Sequence, residues 1–407
     1  MEPGASLQEN WPPVLGGLLD DAPEAHEALV SLLERARLRA VEHVHIEPTE
    51  DGARLRLRTE DGFDESRLTE DALLLTALRY VDEHLAPANE ASEHVFSVRL
   101  ADGAQHVSVT RRTTRRGMTR VLTLHGSNLP PPRLDDLIDD ARQLHKLREI
   151  LVRSNGWIAV GTSTRLDGER LVRAIGQELA SPDAKLIGIE PTLHPTVARI
   201  EQLDRHTTAD AIDAFDPDTV LLCATPSDLT LTRLAASAAE RRRVVHRSIA
   251  RQPSAVMSRY LALGLPPNWL EHVLSAVVMR YHVRMLCHGC KRRLTSAEQI
   301  EPYAIAASAS PDGAEVSNWL KRSLETRFEA GYGCESCDGT GHSGARIITD
   351  LVVIDAATRM ALRTGDLDSA LRRVDSARAI NEVLERLIAE GEISPAEAAR
   401  HLAQRHY

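Results

Sequence analysis

Four of the five cysteines in this 407-residue chain stand as two C-x-x-C pairs, Cys287 with Cys290 and Cys334 with Cys337. Each pair can present two thiolates to one tetrahedral ion, and the long insertion between them can fold as an excursion joining two knuckles. The chemistry this spacing calls for is a structural zinc site, closed because four protein ligands leave no position for water or substrate. The competing readings are a disulfide, which a reducing compartment disfavours, and four free thiols, which have no need of paired spacing.

A second arrangement with chemical content runs over 156–171, GWIAVGTSTRLDGERL: an apolar strand, a Gly/Ser/Thr turn, then a helix. A phosphate-binding loop of this layout reads G-x-x-x-x-G-K-[ST]. Its backbone N–H groups face the phosphates, the Lys neutralises the β/γ charge and the hydroxyl ligates Mg²⁺. Here Gly161, Thr162, Ser163 and Thr164 supply the turn, but the Lys position falls on Asp167 or Gly168 and the hydroxyl position on Gly168 or Glu169. Neither register has the cation. Asp167 and Glu169 also put carboxylates where a triphosphate would lie, and like charges about 4 Å apart cost roughly 4 kcal/mol at an effective dielectric near 20. Glu190, after an apolar strand, is a further candidate for touching metal.

Arg54, Arg56 and Arg58 recur with period two and share one strand face, a solvated face on the plain reading. His43 and His45 read as packing or hydrogen-bonding residues of a strand. The basic run 241–243, with Arg247 and Arg251, fits either a surface for an acidic partner or an exposed helix end.

Holding such groups in place needs more than one core. The length predicts two or three domains, and 43% apolar residues is ordinary for a packed soluble protein. A net charge of −10 argues against non-specific nucleic-acid binding, although only four of the 49 basic residues are Lys. No apolar run reaches about 18 residues, and the beginning MEPGASLQEN lacks the basic-then-apolar pattern of a signal peptide. A cytoplasmic protein is expected. Cys223, inside the apolar run 220–223, reads as part of a buried strand.

Residues 1–35 read as a lead-in and the start of a first helix over about 24–40. Alternating segments at 43–48, 53–59, 94–100, 106–111 and 120–125, with a helix near 70–85, predict a small α+β N-terminal domain over 36–126. GSNLPPPR, at 126–133, disfavours both helix and central strand, so a linker is placed at 127–136. Helical periodicity over 134–155 then leads into apolar strands at 157–160, 186–189 and 219–222, separated by helices such as 169–179. This alternation predicts a mostly parallel, doubly wound α/β domain over 137–407. The rest is expected to be helical at 267–286, 314–330 and 377–405, interrupted by the cysteine region 287–337.

Taken in order, these landmarks resemble the type II secretion and type IV pilus assembly ATPases, a family of hexameric motors. HVHIEP at 43–48 and RLRLRTEDG at 54–62 are similar to the family's D-I-H-I-E-P and R-x-R-x-D-G segments. GWIAVGTSTRLDGE resembles its Walker A, IGIEPTLHP its Asp box and DPDTVLLCA its Walker B. RYLALG at 259–264, CHGCK and CESCDGTGHSG resemble later family motifs, and EGEISPAEAARHL its closing helical segment. The resemblance runs from about residue 40 onward and implies a RecA-like P-loop domain with a zinc-binding insertion and a helical C-terminus.

The departures fall on the chemistry. Glu190 is what remains of the Asp box, Cys223 and Ala224 replace the Gly-Glu that closes Walker B, and Ile249 stands at the histidine of the His box. The family's R-x-P-Q-D-G-R segment has no counterpart around 86–90. Phosphoryl transfer depends on positioning and on cations that stabilise spread negative charge, so these losses together remove most of the mechanism.

The resemblance therefore implies a non-hydrolysing structural or regulatory subunit of a secretion or pilus motor, with zinc expected and ATP with Mg²⁺ disfavoured. Gly161, Thr162, Ser163, Thr164, Asp167, Gly168, Glu169 and Glu190 would be a vestigial nucleotide site. Arg54, Arg56 and Arg58 would face a neighbouring subunit's nucleotide as trans arginines. Partners would be an active ATPase paralogue or inner-membrane platform components, in an oligomer, without membrane insertion. The additional N-terminal domain with which many members dock to the platform is not expected here. The alternatives are a divergent ATPase with weak activity and a zinc-stabilised adaptor without a motor partner.

Overall fold

The computed structural model describes residues 23–38, 41, 43–49, 52–59, 62–68, 94–100, 103–124, 133–153, 155–163, 165–189, 200–203, 207–223, 233–234, 236–238, 241–294, 328–337, 341–376 and 380–403. The chain divides into two compact units, Met1–Pro130 and Pro131–Tyr407.

In the first unit α1 (Pro23–Leu38) precedes six strands: β1 (His43–Thr49), β2 (Gly52–Thr59), β3 (Gly62–Leu68), β4 (His94–Leu100), β5 (Gly103–Thr114) and β6 (Gly117–Leu124). They form one antiparallel sheet in the order β3-β2-β1-β6-β5-β4. Strand alternation sets its faces. Val44, Ile46, Leu55, Leu57, Leu122 and Leu124 are buried, as are Leu29, Leu32 and Leu33 of α1. The helix and five of the strands fall where periodicity predicts them. β3 was not predicted: GFDESRL is charged and shows no apolar alternation, and it pairs with β2 alone at the sheet's edge. The helix expected near 70–85 and nearly all of 126–133 lie outside the described residues.

The second unit contains α2 (Leu134–Leu137), α3 (Ala141–Leu151), β7 (Gly156–Thr162), α4 (Arg165–Leu179), β8 (Leu186–Ile189), β9 (Ile200–Leu203), α5 (Ala209–Phe215), β10 (Thr219–Leu222) and β11 (Arg243–Ile249). These are followed by α6 (Pro253–Ala262), α7 (Pro267–Val273), β12 (Leu274–Leu286), β13 (Arg292–Arg293), β14 (Phe328–Glu329) and β15 (His342–Val353). Four helices end the described chain: α8 (Ala356–Thr364), α9 (Leu367–Ser376), α10 (Ile380–Ala389) and α11 (Pro395–Ala403). The main sheet has the order β15-β12-β7-β11-β10-β8-β9, parallel except for β15. One face carries Ile158, Val160, Val245 and Val278 against α2, α3 and α4. The other carries Trp157, Ala159, Val244 and Val277 against α6, α7 and the C-terminal helices. β7 is therefore buried along its whole length.

Several expectations are corrected here. The single helix predicted over 134–155 is two, because the Asp140 carboxylate accepts from the N–H groups of Arg142 and Gln143 and starts α3 anew. Leu134 is a buried core residue of the second unit, so the end of the segment expected as linker packs with that unit. The helix predicted over 267–286 is α7 followed by β12. The run LSAVVMRYHVRML is long and apolar enough to suit either state, and its valines and tyrosine suit a buried central strand. β11 was also unanticipated, since the arginines in RVVHRSI mask a strand buried at six of its seven positions.

Candidate functional site

The pairing of Leu286 with His342 brings Cys287, next after β12, beside the start of β15. Cys334 and Cys337 arrive on the short 3-10 turn Glu335–Cys337. The four Sγ atoms lie within 4.8 Å of one another. Cys287 to Cys334 is 3.7 Å, Cys290 to Cys337 is 3.8 Å and Cys334 to Cys337 is 3.7 Å. Zn–S bonds of about 2.3 Å at tetrahedral angles place neighbouring sulfurs about 3.8 Å apart, so the donor set fits zinc in number, type and spacing. The N–H groups of Cys334 and Gly341 donate to Cys337 Sγ at 3.2 and 3.3 Å. The Cys334 amide is the main cause that draws this thiol down to about 6, while burial pushes Cys290 up to about 12. Gly331 is required sterically, since a Cβ there would lie 1.9 Å from the Cys290 carbonyl oxygen.

At the turn after β7, only Ser163 and Thr164 separate the strand from α4. Asp167, Gly168 and Glu169 are thus helical and buried rather than part of an open loop. Thr164, Glu190 and Ala224 lie outside the described residues. Asp167 is 4% exposed and forms a two-pronged ion pair with Arg280 of β12, Nε to Oδ2 at 2.6 Å and Nη2 to Oδ1 at 2.7 Å. Arg280 also donates to the Leu137 carbonyl at 3.1 Å and to Thr349 Oγ1 at 3.2 Å, and His282 Nε2 lies 3.4 Å from Asp167 Oδ2. Burial would raise the Asp167 pKa, but Arg280 and then His282 outweigh it and hold the carboxyl well below the usual range. The repulsion that sequence alone assigns to Asp167 is therefore offset inside the protein by Arg280.

Gly168 faces the sheet, where a Cβ would lie 2.4 Å from Thr162 Cγ2 and 2.8 Å from Arg247 Cγ and Cδ. Its missing side chain lets the stem of Arg247 pass against α4. The Arg247 guanidinium donates to the Cys223 carbonyl, at 2.7 Å from Nε and also through Nη2. An arginine side chain thus lies between the start of α4 and the ends of β10 and β11. Gly168→Ala is expected to cost about 1–3 kcal/mol by overpacking, read as a lower urea midpoint at unchanged slope.

The basic run resolves differently from both sequence readings. Arg242 is buried on the Pro217 carbonyl and the Asp213 carboxylate, and Arg243 on Thr219 and the carbonyls of Leu151 and Arg153. Arg241 pairs with Asp216 at 2.8 Å. Ile249, at the His-box histidine position, is 46% exposed. His246 points to the opposite face, its Nδ1 2.9 Å from the Tyr260 hydroxyl, which also accepts from Trp157 Nε1 at 3.1 Å. Burial, then Arg247 and Arg259, bring His246 down to about 3, so it is neutral near pH 7. In the first unit, Arg54 and Arg58 are exposed on the β2 face opposite Leu55 and Leu57, and Arg56 pairs with Glu47 at 3.3 Å. His43 Nδ1 lies 3.1 Å from Thr123 Oγ1, in keeping with a hydrogen-bonding strand residue.

Sequence reasoning missed Arg280 and His282, which close on Asp167, and the contact that Arg247 makes with Cys223. Their only local signal is alternation in RYHVR, at 280–284, which places Arg280, His282 and Arg284 on one face once β12 is known to be a strand. Because Asp167 titrates lower when folded than its ordinary 3.8, the pair stabilises fully above that value and loses its contribution as pH falls towards the folded one. The melting-temperature gap between the native chain and Asp167→Asn is expected to be constant from about pH 8 to 5 and to narrow below about pH 4.

The chain belongs to the family described as "Type II/IV secretion system protein", which matches residues 19–400. It is 24% identical over 368 residues to the type IV pilus assembly ATPase PilB of Thermus thermophilus, covering 87% of this chain and 40% of that protein. It is 25% identical to the type II secretion system protein E of Aeromonas hydrophila, covering 87% of this chain and 70% of that protein. The fold is similar to that of the Legionella pneumophila ATPase DotB, with a TM-score of 0.61 at 12% identity over 93% of this chain and 95% of DotB. It is also similar to that of the pilus retraction motor PilT, solved with bound ADP, with a TM-score of 0.53 at 14% identity over 92% and 96%. Among the described residues no helix is long and apolar enough to cross a membrane.

Proposed function

We propose that this chain is a catalytically degenerate secretion or pilus ATPase homologue that acts as a non-hydrolysing structural or regulatory subunit of a motor complex. The observation that carries this reading is what stands at the phosphate-loop position: two residues separate β7 from α4, Asp167 is held by Arg280, and Arg247 caps the Cys223 carbonyl. No lysine or hydroxyl stands where Walker A would present them, so the cationic stabilisation that phosphoryl transfer relies on is missing. The fold is kept by a zinc-stapled β12–β15 hairpin, and the role is assembly with a competent ATPase relative or platform components at the cytoplasmic face of a membrane. In such an assembly the β2 face that carries Arg54, Arg58 and the Glu47-paired Arg56 would face a neighbour's nucleotide site. Nucleic acid has no part in this reading.

The second reading, a divergent enzyme, is supported by Arg247, a buried cation that donates to the neutral Cys223 carbonyl and lies against the start of α4. Phosphate release from Mg-ATP separates the two. The zinc-loaded chain is expected to release phosphate no faster than a protein-free blank. Steady release that is abolished by Glu190→Gln would show the enzyme reading to be right.

A further inference from the structure

The cysteine knuckles are also the seat of the turn between α10 and α11. The Leu286 N–H donates to the Glu392 carbonyl at 2.7 Å, and the Lys291 ammonium to the Gly391 carbonyl at 2.7 Å. The Lys291 Nζ lies 4.8 Å from the centre of the Phe328 ring, which itself fills the space that a Cβ on Gly391 would need, 2.8 Å from Cδ2. His288 Nε2 stands 3.4 Å from a Glu392 carboxylate oxygen. Lys291 is set in turn by its own N–H on the Cys287 carbonyl at 2.9 Å, inside the first C-x-x-C loop. The Leu286, His288 and Lys291 holds on the turn therefore run through backbone that the first cysteine pair shapes or adjoins, and the Phe328 contact comes from β14.

α11 has a separate anchor that does not pass through the cysteines. Glu397, 1% exposed, accepts from the Arg284 N–H at 3.0 Å and from Arg284 Nε at 2.9 Å, with His401 Nε2 3.1 Å away. α10 reaches the core through Ile380, Leu384, Leu387 and Ile388, and the turn that follows it is anchored by the buried Ile393 as well as held from the knuckle side.

We propose that metal occupancy of the four-cysteine site acts as a latch on the C-terminal helix pair: bound metal keeps α10 and the 390–394 turn docked, and its loss releases them while α11 stays tied through Glu397. This goes beyond the subunit role proposed above and does not depend on whether nucleotide is hydrolysed.

Hydrogen exchange on the full chain tests it, comparing zinc-loaded protein with protein stripped by a chelator. Exchange over 380–394 is expected to rise at least about tenfold, with β7 and β11 unchanged and 397–401 changing less. Unchanged exchange over 380–394 would overturn the proposal, and so would an equal rise in β7 and β11, which would mean general unfolding. Lys291→Gln supplies an independent route, because it leaves the four ligands intact. It is expected to speed exchange over 380–394 while metal content stays at that of the native chain, and no change there would remove the knuckle as the path.

Discussion

Arg280→Ala is expected to destabilise the second unit by roughly 3–5 kcal/mol, because it leaves the buried Asp167 carboxylate without its countercharge. Both side chains are almost sealed from water, at 2% and 4% exposure, so solvent cannot take over the lost bonds. The Leu137 carbonyl and Thr349 also lose a donor. Lysine should rescue little, since an ammonium cannot make the two-pronged contact. The double variant Asp167→Leu with Arg280→Met should recover much of the loss, since removing both charges avoids the unpaired one. Urea unfolding followed by tryptophan fluorescence, to which the buried Trp157 contributes, gives the answer, and an Arg280→Ala loss below about 1 kcal/mol would contradict a sealed pair.

Cys334→Ser is expected to lower bound zinc from about one per chain to near zero, because a closed site needs all four thiolates. Zinc binding carries folding energy in structural sites of this kind, so the thermal transition should fall together with the metal content. The effect should centre on the end of the β12–β15 pair, where Cys287 follows Leu286 and Gly341 precedes His342. Metal analysis by mass, beside a melting curve, checks both parts. Full zinc content in the variant would mean that three cysteines and some other donor hold the ion.

Much of the architecture could be read locally. The alternation in HVFSVRL marked β4, and each C-x-x-C pair marked one half of the four-cysteine cluster, since these signals lie within a few residues. The surroundings of Asp167 at the start of α4 were legible only in part. Missing lysine and hydroxyl side chains can be seen in the sequence, but the partner that holds Asp167 cannot, because Asp167 and Arg280 are 113 residues apart. Strand β12 was misread for a related reason. Its apolar run fits helix or strand, and only the neighbouring β7 and β15 decide between them. Arg247 was seen as surface charge because an arginine bonded to a carbonyl 24 residues away looks, in sequence, like one bonded to water.

The measurement that bears most directly on a non-hydrolysing role is calorimetric titration of the zinc-loaded chain with millimolar Mg-ATP, with the same cell watched afterwards for slow hydrolytic heat. With Asp167 locked to Arg280 and Arg247 drawn onto Cys223, the expected result is neither binding heat nor turnover heat. Sustained heat from turnover would contradict the non-hydrolysing assignment, and saturable binding without turnover would confine the subunit to sensing nucleotide.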